Sequence, residues 1–217
     1  MEPFALTRLR EHRLVAVIRA PDPEAALGAA RAVAAGGIEL IEVTFTVPEA
    51  PRVMAALAAE GRLTVGAGTV LTAAQARAAL AAGAQFIIAP NLSREVADEA
   101  LGAGVMFCPG AYTTTEILAA RAAGAHLVKV YPVGIAGGPA YIRVIRDPLP
   151  DVPMLAAGGT THENVVPFLE AGCVGVGLGA SLADPALAAA GRFDEITRRA
   201  RAFTDLTGPA TRRLAGT

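Results

Sequence analysis

Residues 14–45 run LVAVIRAPDPEAALGAARAVAAGGIELIEVTF. The first six, Leu14 to Arg19, form an apolar run short enough for a buried strand, and Pro21 and Pro23 end it. Asp22 then stands where a side-chain oxygen caps a helix, with Pro23 at the first helical position. The Ala-rich stretch that follows stops at Gly36-Gly37, a helix C-terminal signal. Ile38 to Phe45 reads as the next strand. One strand, one helix and the next strand thus follow with almost no loop between them.

The same unit recurs along the chain. Strand-like runs lie at 63–67, 84–89, 105–108, 126–131, 153–157 and 173–178, with helical stretches at about 72–82, 93–103, 113–123, 139–147 and 161–171. Thr72, Ser93, Thr113 and Thr161 stand at helix starts as caps. Small-residue phrases such as Ala82-Gly83-Ala84 and Ala123-Gly124-Ala125 end the helices. A short leading helix occupies 2–12, and 184–206 supplies further helix. Eight strands alternating with helices predict a single-domain (β/α)8 TIM barrel over 1–217 with a short N-terminal helix. A doubly wound open sheet is the alternative. It usually carries a Gly-rich turn after its first strand, where this chain has Ala20-Pro21-Asp22-Pro23.

Composition narrows the function. The chain is 53% hydrophobic and 18% charged, with a net charge of -1. That favours a well-buried core and gives no electrostatic case for nucleic acid or an acidic membrane surface. No run approaches a membrane span and no secretory leader is visible, so a cytoplasmic protein is expected. Cys108 and Cys173 read as buried free thiols.

Barrel chemistry sits at the C-terminal ends of the strands. Lys129, within His126-Leu127-Val128-Lys129-Val130-Tyr131-Pro132, is the only lysine among the 19 basic residues. A buried ammonium is costly unless paired or deprotonated, and deprotonation makes an amine a nucleophile. Glu42, inward on the second strand, is predicted to face Lys129 across the mouth. Glu39, on the other face of that strand, is predicted to pair with a surface arginine. Arg19, Thr69 and Pro90 fall at other strand ends. Gly158-Gly159 and Gly179-Ala180-Ser181 lie on the two loops where barrels hold phosphate. No His, Cys or acidic cluster has metal-ligand spacing. An amine, an opposed carboxylate and an anion cradle fit imine chemistry on a ketone or aldehyde.

The motifs Ile41-Glu42-Val43-Thr44, Val65-Gly66-Ala67-Gly68-Thr69, Cys108-Pro109-Gly110, Val128-Lys129-Val130-Tyr131-Pro132 and Gly158-Gly159 resemble those of the bacterial 2-keto-3-deoxy-6-phosphogluconate (KDPG) and 4-hydroxy-2-oxoglutarate aldolases, over almost the full length. The resemblance implies a class I, metal-free, cofactor-independent homotrimer. Such an enzyme cleaves a phosphorylated 2-keto-3-deoxy sugar acid to pyruvate and glyceraldehyde 3-phosphate. Its partners are then a small 2-keto acid and a phosphorylated aldehyde, with no nucleic acid and no membrane. By the same resemblance Lys129 forms the imine and Glu42 is the acid/base. Thr69 and Gly68 hold the substrate carboxylate. Pro90 and Ala157 form the substrate wall. Gly158, Gly159, Gly179, Ala180 and Ser181 take the phosphate. Arg19 and Thr46 are expected beside the substrate carboxylate: Thr46 stands where many KDPG enzymes have a carboxylate-binding arginine, and Arg19, which resembles the arrangement of the 6-phosphogalactonate aldolases, would take over that task. Ala157 replaces the Thr or Val that lies where the substrate's C4 configuration would be read. Three alternatives remain: 6-phosphogalactonate cleavage, a phosphate-binding isomerase or epimerase without a covalent intermediate, and a non-catalytic sugar-acid-phosphate binding barrel.

Overall fold

The computed structural model describes residues 2–208, so Met1 and 209–217 of the expected 1–217 domain lie outside the described residues. The chain opens with α1 (Phe4–His12), β1 (Leu14–Ile18), α2 (Pro23–Ala35), β2 (Leu40–Thr44), α3 (Ala50–Ala59), β3 (Thr64–Gly68) and α4 (Ala73–Ala81). It continues with β4 (Phe86–Ile88), α5 (Arg94–Gly102), β5 (Met106–Cys108), β6 (Gly110–Ala111), α6 (Thr114–Ala122) and β7 (Val128–Val130). The last part is α7 (Pro139–Arg146), β8 (Met154–Ala157), α8 (Val165–Glu170), β9 (Gly175–Leu178), α9 (Pro185–Ala189) and α10 (Phe193–Leu206). The strand order is β5-β4-β3-β2-β1-β9-β8-β7-β6, and all pairs are parallel.

The ends of that list are two halves of one barrel strand. Pro109 has no N–H to give to a ladder, and it separates β5 from β6. β5 pairs with β4, while β6 pairs with β7. The Lys129 amide donates to the Pro109 carbonyl at 2.9 Å, joining the two edges. Eight barrel strands therefore close as expected, with the fifth interrupted.

Local signals account for most boundaries. Asp22, Thr72, Ser93 and Thr113 each accept a backbone N–H from the first turn of the helix that follows. Thr161 does not cap a helix, which corrects the expected 161–171 element. Asn164 Oδ1 instead accepts the Thr161 N–H at 2.7 Å, turning 161–164 back on itself and delaying the helix to Val165. No helix is expected over 48–62 from the sequence, yet α3 forms there. Pro51 sits in its first turn, where a missing N–H breaks no helical bond.

Alternation along the strands divides the core into two. Val15, Leu40, Phe86, Ile88, Met106, Cys108, Leu127 and Leu155 point into the barrel. Their neighbours, such as Ala16, Ile41, Ile87 and Val128, pack against the helices. Burial on both faces is why these strands are apolar throughout. Ala5, Leu6 and Leu9 of α1 join the interior cluster and stopper the N-terminal end. Gly175 makes this possible, since a Cβ there would stand 2.6 Å from Leu9 Cδ1. Only the C-terminal mouth is left for chemistry. Cys108 and Cys173 are both buried and unbridged.

Candidate active site

The inward parity that places Leu40 and Leu127 in the barrel also brings Glu42 and Lys129 inside, one pleat nearer the mouth. Arg19 follows Val15 and Val17 in the same way. Lys129 is 5% exposed and Glu42 1%. Burial pushes the Glu42 carboxyl above the usual glutamate range, and the charges of Lys129 and Arg19 only partly offset this. Among the described residues, Glu42 Oε1 is a buried oxygen without a hydrogen-bond partner. A buried acceptor left without a partner costs free energy. Glu39, on the opposite face, pairs with Arg8 at 2.5 Å. The two carboxylates of one strand thus have separate fates.

A cavity of about 510 Å³ opens beside Lys129 and Arg19, while Glu42, Gly68 and Thr69 are not among its lining residues. Arg19, Lys129, Ala157, Gly158, Gly159, Gly179, Ala180 and Ser181 line it, together with Tyr131 and Thr160. Most of the residues singled out from the sequence therefore meet in one place. Gly68 sits against Glu42: a Cβ there would lie 2.5 Å from the carboxyl carbon and 2.6 Å from Cγ. Thr69 follows it in the left-handed conformation at φ 56°, where the backbone is strained for a residue with a side chain. Pro90 lines a neighbouring cavity of about 280 Å³ with Asn91, Gly110 and Tyr112. Tyr131 is a wall common to both cavities. Thr46 is not among the residues lining the main cavity. Its hydroxyl donates to Thr44 Oγ1 at 2.6 Å, because the Thr44 proton goes to the Ile18 carbonyl at 3.1 Å.

The glycine turn is braced from behind. The carbonyls of Ala157 and Gly158 accept the amides of Val133 and Gly134 at 2.9 and 2.8 Å, and Asn164 Nδ2 donates to the Gly159 carbonyl at 2.9 Å. Its acceptors are spent on protein, an arrangement suited to presenting donors to an anion. Ser181 Oγ donates to the Thr160 carbonyl at 2.9 Å, tying the last loop to this one. Residues 179–183 make a single turn, with Leu182 and Ala183 donating to the Gly179 carbonyl, in place of the short helix that many barrels use. Asn164 and Tyr131 are contributors that the sequence reading did not assign. Tyr131 shares the parity of Leu127 and Lys129, so strand alternation carries its signal. Asn164 has no comparable signal, since its role depends on the turn it closes.

A model of the KDPG and KHG aldolase family matches residues 6–199. The chain belongs to that family. Membership makes the protein a carbon–carbon lyase. The 2-dehydro-3-deoxy-6-phosphogalactonate aldolase of Escherichia coli K12 is 38% identical over 172 residues, spanning 78% of this chain and 83% of the relative. A 2-dehydro-3-deoxy-phosphogluconate aldolase of Treponema pallidum is 35% identical, spanning 92% and 96%. In structure, KDPG aldolase from Legionella pneumophila, with pyruvate captured as a covalent carbinolamine, superposes with a TM-score of 0.83 at 27% identity, covering 94% of this chain and 98% of that one. Within this aldolase, no helix of the described residues is long and apolar enough to cross a membrane.

Proposed function

We propose that this family member is a class I aldolase that cleaves 2-dehydro-3-deoxy-6-phosphogluconate to pyruvate and glyceraldehyde 3-phosphate. The observation that carries the reading is the pair of buried groups: Lys129, which lines the cavity, and Glu42, packed behind it with Oε1 unpartnered and close enough to feel the Lys129 charge. Lys129 attacks the C2 keto carbon as the free amine. Loss of water from the carbinolamine gives a cationic imine. Glu42 takes the proton of the C4 hydroxyl, the C3–C4 bond breaks, and its electron pair moves into the imine to give an enamine as the aldehyde leaves. Glu42 returns a proton to C3, and water releases pyruvate. A carboxyl held above its ordinary range suits a group that must both take and give a proton near neutrality.

Arg19, Gly68 and Thr69 hold the substrate carboxylate, with Thr46 bracing Thr44 from behind. Ala157 and Pro90 shape the walls, and Gly158, Gly159, Gly179, Ala180 and Ser181 receive the phosphate. Cleavage of 4-hydroxy-2-oxoglutarate and of the 6-phosphogalactonate epimer belongs to the same reading, since Ala157 puts only a methyl group beside the cavity. The enzyme acts in the cytoplasm as a homotrimer, a state consistent with the exposed apolar Leu118 on α6, Ile135 in the loop after β7 and Val144 on α7.

Borohydride reduction in the presence of pyruvate, followed by peptide mass spectrometry, tests the mechanism. A stable adduct on Lys129 that requires pyruvate is expected, and Lys129→Arg, which keeps the charge, should form none. Folded protein that gives no adduct at neutral pH would refute the imine route and favour an isomerase using Lys129 as an electrostatic clamp.

A further inference from the structure

The Tyr131 ring touches both halves of the site. Lys129 Nζ lies over its face, 4.9 Å from the ring centroid. On its edge side the ring packs against the glycine turn so closely that a Cβ on Gly158 would lie 2.9 Å from Cδ2 and from Cε2. The next turn closes the same contact. The Gly134 amide donates to the Gly158 carbonyl at 2.8 Å, and a Cβ on Gly159 would stand 2.8 Å from Gly134 Cα. The ring is thus in direct contact with the glycine turn on one side and with the amine on the other.

We propose that Tyr131 is a positioning residue that couples anion occupancy of the Gly158–Gly159 turn to the placement of Lys129. The inference rests on the aldolase reading and goes beyond it. An anion bound to the turn fixes Gly158, Gly158 fixes the ring, and the ring face holds the amine and the cationic imine that replaces it. The phosphate of a substrate then contributes to the rate of imine formation as well as to affinity, the use of remote binding energy expected of an efficient enzyme.

The test splits the substrate in two. Pyruvate trapping by borohydride is timed with and without inorganic phosphate, which supplies the anion in trans. In the unaltered protein phosphate is expected to accelerate adduct formation by about fivefold or more, the lower range of measured site-to-site coupling. Tyr131→Phe keeps the ring and should keep the acceleration. Tyr131→Leu should still form adduct, more slowly, with the acceleration lost. A residue that merely packs would slow both reactions equally and leave their ratio unchanged, and that result would overturn the proposal. So would an unaltered protein indifferent to phosphate. Tyr131→Met serves if the leucine variant does not fold. A second readout does not depend on the imine. The chain has no Trp and three Tyr, so a phosphate-dependent change in tyrosine emission that disappears in Tyr131→Phe supports the contact. Its persistence in that variant refutes it. Absence of any adduct alongside a normal emission response would count against the aldolase reading alone.

Discussion

Gly68→Ala is the most economical way to disturb Glu42, the proposed acid/base group, without touching it. The φ of Gly68 is not in the left-handed region, so alanine meets no backbone penalty there. The cost comes from the new methyl, which would stand 2.5 Å from Glu42 Cδ and 2.6 Å from Cγ, and closer still to Oε1. Ordinary contact needs roughly 3.5 Å or more, so the carboxyl must withdraw by about 1 Å. Its surroundings are fully packed, and the move forces a poorer rotamer or a strand shift. Overpacking of this kind costs about 1–3 kcal/mol, a fall of roughly 2–12 °C in Tm for a chain of this size. The kinetic cost is larger, because a displacement of about 1 Å at a reacting group can cost on the order of 100-fold. The assay is steady-state cleavage coupled to pyruvate reduction, beside a thermal melt. Gly66→Ala is the control: its methyl would meet the Phe86 ring in the barrel interior and leave Glu42 alone. It should lower Tm at least as much while sparing kcat far more. A Gly68→Ala enzyme with kcat within about threefold of the parent would show that Glu42 placement does not limit the reaction, and the reasoning would fail.

Glu42→Gln should abolish most turnover while stabilising the fold above about pH 5, and melts at pH 4 and pH 8 check this. Burial raises the folded-state pKa. The unfolded chain therefore releases the proton first as pH rises past the ordinary glutamate value, and stability falls through that window. Gln carries no charge to desolvate, so the parent should lose stability relative to the variant between the two pH values, by about 1–3 kcal/mol. Gly159→Ala combines a left-handed φ of 88° with the close approach to Gly134 Cα. It should cost about 2–4 kcal/mol, raise KM for phosphorylated substrate about tenfold or more, and leave pyruvate trapping on Lys129 detectable.

The barrel was legible because its signals are local. Asp22, Thr72, Ser93 and Thr113 cap helices through bonds that span three residues, and apolar strands flanked by glycine phrases need no knowledge of the partner strand. Strand parity also placed Glu42 and Lys129 inside and Glu39 outside, since a period of two depends only on the chain itself. The failures are places where a residue answers to something distant or to the loop it closes. Thr161 has the side chain of a cap, but its amide is taken by Asn164, and the helix starts later. Pro48 and Pro51 resemble a loop, although Pro51 lies in the first turn of α3. Pro109 divides the fifth strand in two without opening the barrel.

The glycines show most plainly what a sequence withholds. Gly66, Gly68, Gly158 and Gly175 all read as turn formers or as small residues in apolar runs. In the fold, each is small because a particular side chain occupies the space a Cβ would take: Phe86, Glu42, Tyr131 and Leu9 respectively. Two of those side chains fill the core, one in the barrel and one in its stopper. The other two belong to the mouth, where Glu42 is brought inward and Tyr131 is pressed between the Gly158–Gly159 turn and Lys129. A small residue on a barrel strand or at its end is thus a statement about its neighbour. The C-terminal mouth of this barrel is built by leaving out methyl groups as much as by supplying an amine and a carboxyl.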